Sequence, residues 1–297
     1  MSNNDSSPDI IVRGMAMDGK VRVFAALSTA IVEELRARHD TWPTVTAALG
    51  RTVTAGAMMG SMLKGEEKLT IQIRGDGPIG QIVVDANAAG EVRGYVTEPH
   101  IDLPLNEKGK LDVAGAVGRD GLMYVTKDLG MKEPYRGTSP IVSGELAEDF
   151  TYYFSTSEQT PSAVALGVLV NPDYSVRAAG GFILQLLPGL SDDEITAIEQ
   201  KLATLTPVTT LIEQGAGPED ILHHLFDAVQ IYERSPLTFS CSCSQDRVEK
   251  TLISLGKDEI DALIEEQGRA EVVCHFCNEK YVLEKIELEQ LRTKHFH

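Results

Sequence analysis

Ser240-Cys-Ser-Cys-Ser244 and Val273-Cys-His-Phe-Cys277 hold every cysteine of the chain. The first pair, Cys241 and Cys243, is C-x-C; the second, Cys274 and Cys277, is C-x-x-C; residues 244–273 lie between them. Two close pairs at such a separation are what a tetrahedral thiolate zinc site requires, because each pair sits on one tight loop and folding brings the loops together. No thiol is left to cross-link elsewhere. C-x-C is the rarer spacing in structural zinc sites, which bears on what oxidation would do. A structural zinc ribbon, a redox-active zinc site and disulfides alone all fit the residues. A segment of about sixty residues rarely buries enough apolar surface to fold alone. Zinc is therefore expected to act as its core, supplying roughly 10–16 kcal/mol of apparent folding free energy.

Outward from the cysteines, residues 236–297 read as one unit. Two short helices, about 245–255 and 258–267, separate the pairs, the second stopped by Gly268. Glu271-Val-Val-Cys274 and Lys280-Tyr-Val-Leu283 read as two strands flanking the second pair. His275 is expected to point outward, since four thiolates complete the set. The closing His295 and His297 belong to no motif.

Residues 1–235 read as a large α+β domain. Asp9–Arg13 and Val21–Phe24 flank an Asp18-Gly19 turn, a strong hairpin signal. Ser28-Thr29 looks like a helix start, with Ile31, Val32 and Leu35 on one face. A second helix follows Pro43 and is rich in Ala and Gly, which suits close packing. Strand-like runs at 69–73, 81–85 and 91–96 form an antiparallel meander, and 121–127 adds another strand. A helix is expected over 145–158, with Leu146, Phe150, Tyr153 and Phe154 on one face, then a hairpin around Asn171-Pro-Asp173. Strands and helices come in blocks, so the class is α+β with an antiparallel sheet and packed helices. Residues 191–235 read as a helical linker region throughout. Ser191-Asp-Asp-Glu194 is a capping box, and a third helix from Pro218 is expected to turn Ile221, Leu222, Leu225, Phe226 and Val229 inward. These helices are too short to stand alone and must lie on something.

The chain carries 44 acidic and 27 basic residues, a net charge of −17, which disfavours nucleic acid as a partner. The longest apolar run, Ala163–Val170, is too short to cross a bilayer. The polar start, with its Asn4-Asp5-Ser6 acceptor pattern, has no signal-peptide character, so a reducing cytoplasm is the expected location. Gly75-Asp-Gly-Pro-Ile-Gly80 matches G-x-G-x-x-G, but a strand-like run follows it and not a helix that could receive a pyrophosphate. His223 and His224 are adjacent on a helix and cannot share a face as a metal pair. Glu66-Glu67 and Asp192-Asp193 read as solvated faces. No G-x-S-x-G, H-E-x-x-H or P-loop is present, and no enzyme activity is expected.

Beyond the cysteines the chain carries Arg93-Gly-Tyr-Val96, Lys127-Asp-Leu-Gly130, Pro134-Tyr-Arg-Gly137, Ser143-Gly-Glu-Leu-Ala-Glu-Asp149, Ser157-Glu-Gln-Thr-Pro-Ser-Ala-Val164 and Ala179-Gly-Gly-Phe182. With the two cysteine pairs, in this order, it resembles the 33 kDa chaperonin family of redox-regulated bacterial heat-shock chaperones. The resemblance implies an ATP-independent holdase for unfolding proteins. It implies one zinc held by Cys241, Cys243, Cys274 and Cys277 in the reduced, inactive form. It also implies that oxidation forms Cys241–Cys243 and Cys274–Cys277 disulfides, expels the metal and yields a homodimer. A C-x-C disulfide closes a tight ring, so it should be strained and readily reduced. Loss of the zinc domain would uncover helical residues 191–235 as a sticky surface. A zinc ribbon that docks a partner, or a thiol oxidoreductase using Cys274-His-Phe-Cys277, is the alternative; client aggregation with and without peroxide, or insulin reduction, separates them.

Overall fold

The computed structural model describes residues 8–296; the polar start with Asn4-Asp5-Ser6, and His297, lie outside the described residues. The chain divides into two compact units, residues 1–240 and 241–297.

The first unit opens with the expected hairpin, β1 (Ile10–Ala16) and β2 (Val21–Leu27), around a turn in which Met17, Asp18 and Gly19 all have positive φ. Helix α1 (Thr29–His39) buries Ile31, Val32 and Leu35. It starts where Ser28-Thr29 marks it, but the Ser28 side chain does not cap it. The Ser28 hydroxyl bonds Thr54, and the buried carboxylate of Asp9 accepts the Ala30 and Ile31 N–H groups at 3.1 and 2.7 Å. Helix α2 (Pro43–Gly60) is buried along nearly its whole length. Its small residues make that possible. A Cβ on Gly50 would meet Val32 at 2.6 Å, and one on Gly56 would meet Val84 at 2.9 Å.

Strands β3 (Lys68–Gly75), β4 (Gln81–Asn87) and β5 (Glu91–Val96) form the meander. Short helix α3 (Val113–Val117), β6 (Gly121–Asp128), β7 (Tyr135–Pro140) and α4 (Ala147–Thr156) follow. The second hairpin is β8 (Ser162–Val170) with β9 (Val176–Leu186). After it come α5 (Asp192–Thr204), α6 (Val208–Glu213) and α7 (Pro218–His223).

The helical reading of 191–235 holds only to this point. Val229–Pro236 is a strand, β10, paired antiparallel to β1 from Ile10↔Pro236 to Ala16↔Val229. Val229 therefore faces the core from a sheet edge. It lies four residues after Leu225, so it fits helical periodicity as well as it fits alternation with Ile231. The two-residue β11 (Thr238–Phe239) then runs parallel to β5, so residues 236–240 belong to the sheets of the first unit.

Two sheets result, ordered β10-β1-β2-β9-β8 and β11-β5-β4-β3-β6-β7. Helix α2 packs against strands of both, and the main core forms around it. The opposite face of the first sheet, with Val12, Val23, Phe182 and Leu184, is covered by Ile198, Val208, Leu211, Ile221 and Leu222 of α5–α7. This is the support those short helices require.

The second unit comprises α8 (Gln245–Leu255), α9 (Lys257–Ala262), a π-turn over Leu263–Gln267 ended by Gly268 at φ 68°, the hairpin β12 (Arg269–Val273) and β13 (Lys280–Glu284), and α10 (Lys285–His295). Its small core gathers Val248, Leu252, Ile260, Ile264, Leu283, Leu288 and Leu291. Helix α10, absent from the sequence reading, supplies the last two and carries His295. Among the described residues no helix is long and apolar enough to cross a membrane.

Candidate metal centre

Two loops build the site. Residues 240–244 run without regular structure into α8, whose first turn is capped by the Ser244 hydroxyl accepting the Arg247 N–H at 3.3 Å. The second loop is the tip of the β12–β13 hairpin. There the Cys274 N–H donates to the Glu279 carbonyl and the Asn278 N–H to the Cys274 carbonyl, with Asn278 at φ 60°. These bonds fold Cys274-His-Phe-Cys277 into a knuckle that turns both sulfurs the same way.

All four sulfurs lie within 4.8 Å of one another. Cys241 Sγ is 3.7 Å from Cys274 Sγ, and Cys243 Sγ is 3.3 Å from Cys277 Sγ. A tetrahedron with Zn–S bonds of about 2.3 Å has an edge of about 3.8 Å, so the donor set fits a four-thiolate metal site. Each of these two separations joins one loop to the other. His275 is exposed and outside the donor set. His223 and His224 are exposed on the first unit, and the Gly75–Gly80 turn leads into β4 with no helix behind it.

The sulfurs share charge unequally. Burial works against the Cys241 thiolate, but the Cys243 N–H and the neighbouring thiols outweigh it and bring its pKa down to about 7. Burial pushes the thiols of Cys243 and Cys277 up. A cation among the four sulfurs would favour their ionised forms.

Two further residues, which sequence reasoning missed, touch the first loop. The Tyr281 hydroxyl donates to Cys243 Sγ at 3.1 Å, and this bond holds the phenol proton more tightly than usual. Arg247 Nη1 donates to the Ser242 carbonyl and hydroxyl at 2.9 and 2.5 Å. The Tyr281 contact was not legible because it depends on how the two loops meet, and the Arg247 contact because it depends on the path of the irregular loop that leads into α8.

The other motifs lie in the first unit and have structural roles. Buried Asp149 accepts N–H groups from Val142, Ser143 and Leu146 at 2.7–2.9 Å and so holds the turn that starts α4. Glu158 accepts from Lys127 and from the Tyr153 hydroxyl. Arg93 pairs with Asp85 at 2.7 Å across β4 and β5.

Residues 9–284 match the family model described as Hsp33 protein. The chain belongs to the Hsp33 family. It is 55% identical over 286 residues to the 33 kDa chaperonin of Geobacillus kaustophilus, covering 96% of this chain and 97% of that protein. It is also 55% identical over 287 residues to that of Bacillus velezensis, covering 96% and 99%. The crystal structure of the 33 kDa chaperonin (heat shock protein 33 homologue) of Thermotoga maritima superposes with a TM-score of 0.90 at 39% identity, covering 96% of this chain and 98% of that one. Hsp33 membership makes a chaperone the coarse description of the chain, and the four-thiol cluster is its candidate metal centre.

Proposed function

We propose that the chain is a redox-regulated, ATP-independent holdase acting in the cytoplasm. In the reduced form Cys241, Cys243, Cys274 and Cys277 hold one zinc ion and client binding is off. Oxidation forms Cys241–Cys243 and Cys274–Cys277 disulfides, releases the metal and switches on binding of unfolding proteins by a homodimer. Residues up to 240 serve as the chaperone core, with 191–235 as its linker region, and residues from 241 on as the switch. The role is one of binding, not catalysis. The observation that carries the reading is the convergence of all four sulfurs of the chain in a unit of its own with a small core.

Zinc bound there would supply folding free energy to that unit. The chain's own chemistry is the oxidation. A thiolate attacks a peroxide oxygen, the O–O bond breaks, hydroxide leaves and a sulfenic acid forms. A second thiolate attacks that sulfur, the S–O bond breaks, and hydroxide leaves as the disulfide closes. Two electrons pass to each peroxide. A disulfide sulfur is a poor ligand, so each one formed removes two donors. The in-pair partners are those the family resemblance implies. Clients would meet the apolar sheet face beneath α5–α7, on a protein whose −17 charge keeps it soluble.

The test is light scattering from a thermally unfolding client, with metal analysis and thiol counting on the same samples. Peroxide-treated protein, with mild heat, should suppress scattering while reduced zinc-loaded protein does not. Equal suppression by both forms, or by neither, would reject the switch.

A further inference from the structure

We infer that Tyr281 is a positioning residue for Cys243: its hydroxyl holds that sulfur in the metal set and guards it against electrophiles. The inference rests on the zinc reading above.

Tyr281 stands on β13, beyond the second cysteine pair, yet its hydroxyl reaches a sulfur of the first pair, 3.1 Å from Cys243 Sγ. The register of the hairpin dictates this. Tyr281 pairs with Val272, and along β13 the side chains of Lys280, Val282 and Glu284 are exposed while Leu283 is buried. Tyr281 shares the inward face with Leu283, and its ring packs on the core of the unit. The ring is thus fixed below by apolar contacts and presents one donor above. A donor so held loses little freedom when it bonds a sulfur.

The consequence follows from thiolate chemistry. A hydrogen bond draws density from the sulfur lone pair, which stabilises the ionised ligand and lowers its nucleophilicity. Because the donor comes from the hairpin and the acceptor from the loop before α8, the bond also ties the two halves of the site together. Arg247, bonded to Ser242, braces the same loop.

The experiment compares the full-length reduced chain with Tyr281→Phe, which keeps the packed ring. Zinc affinity is read by chelator competition, and N-ethylmaleimide labelling of each cysteine by peptide mass spectrometry. The thiolate–metal charge-transfer band is read on Co²⁺-loaded protein. The variant should still take one zinc per chain, bind it about tenfold more weakly, and label faster at Cys243 than at its neighbours. Its charge-transfer band should move to lower energy, a change that lost packing would not produce. Unchanged affinity, labelling and band position in Tyr281→Phe, with normal zinc uptake by the parent, overturns the role of Tyr281 alone. A parent chain that takes no zinc overturns the zinc reading and this inference together. If the Phe variant takes no zinc, 3-fluorotyrosine at position 281 decides, since it is a stronger donor on the same ring. Tighter zinc and slower Cys243 labelling then support the role, and no change overturns it.

Discussion

Ile198 is the only fully buried residue of the thirteen in α5, at 5% exposure, against the sheet face lined by Val23 and Phe182. The helix is also held by half-buried Leu202 and by the Lys20–Glu194 ion pair at 2.9 Å, which is solvated and adds little. Ile198→Ala removes three buried carbons, about 2.4 kcal/mol at ~0.8 kcal/mol each, and the cavity left behind raises the cost to about 3 kcal/mol. At about 1.4 kcal/mol per factor of ten, the open population of α5 rises roughly a hundredfold. Native-state hydrogen exchange resolved by peptide should show that loss over 192–204, with β3, β4 and β6 unchanged. The reduced, zinc-loaded variant should then hold a thermally unfolding client in part without oxidant. Unaltered protection over α5 would refute the energetic reasoning. Lost protection with no gain in holding would refute the idea that the α5–α7 layer covers the client surface.

Cys277→Ser should drop zinc to well below one per chain by metal analysis, and remove exchange protection over 241–297 while β1, β2 and β9 keep theirs. Asp9 is raised to about 6 by burial, against which its backbone N–H bonds work only in part. Its folded-state pKa exceeds the unfolded value of 3.8, so the contribution is fully present below about pH 4 and is lost as pH rises through about 6. Relative to Asp9→Asn, the parent should lose up to about 3 kcal/mol between pH 4 and 7.5 in urea unfolding. Gly56→Val would place its Cβ 2.9 Å from Val84 and should lower stability by about 3 kcal/mol or more, read as a lower urea midpoint at constant slope.

The parts legible in the sequence were those whose signal is local. Asp18-Gly19 marks a turn by backbone chemistry, Ser191-Asp-Asp-Glu194 caps α5 in the expected way, and the cysteine spacing announces the loops of the metal centre. What escaped depends on partners distant in sequence. Strand β7, Tyr-Arg-Gly-Thr-Ser-Pro, turns Gly137 and Ser139 inward, so it has no apolar alternation to find. Val229 and Ile231 satisfy two periodicities, and only pairing with β1 selects the strand. Asp9 reads as the edge of a hairpin and not as the cap of a helix twenty residues on. Tyr281 looks like an ordinary strand aromatic until the register brings it to Cys243.

The pairing of Ile10 with Pro236 also sets a schedule for synthesis. At about 5–20 residues per second, β1 leaves the ribosome on the order of ten to forty-five seconds before its partner β10 exists. For that interval the outer edge of β1 has no strand to accept its hydrogen bonds, and the apolar face it shares with β2 lacks α5–α7. Such an edge pairs readily with other extended chains. A newborn molecule of this protein is therefore exposed to aggregation through that edge, and codon usage between positions 16 and 229 becomes a variable in its yield.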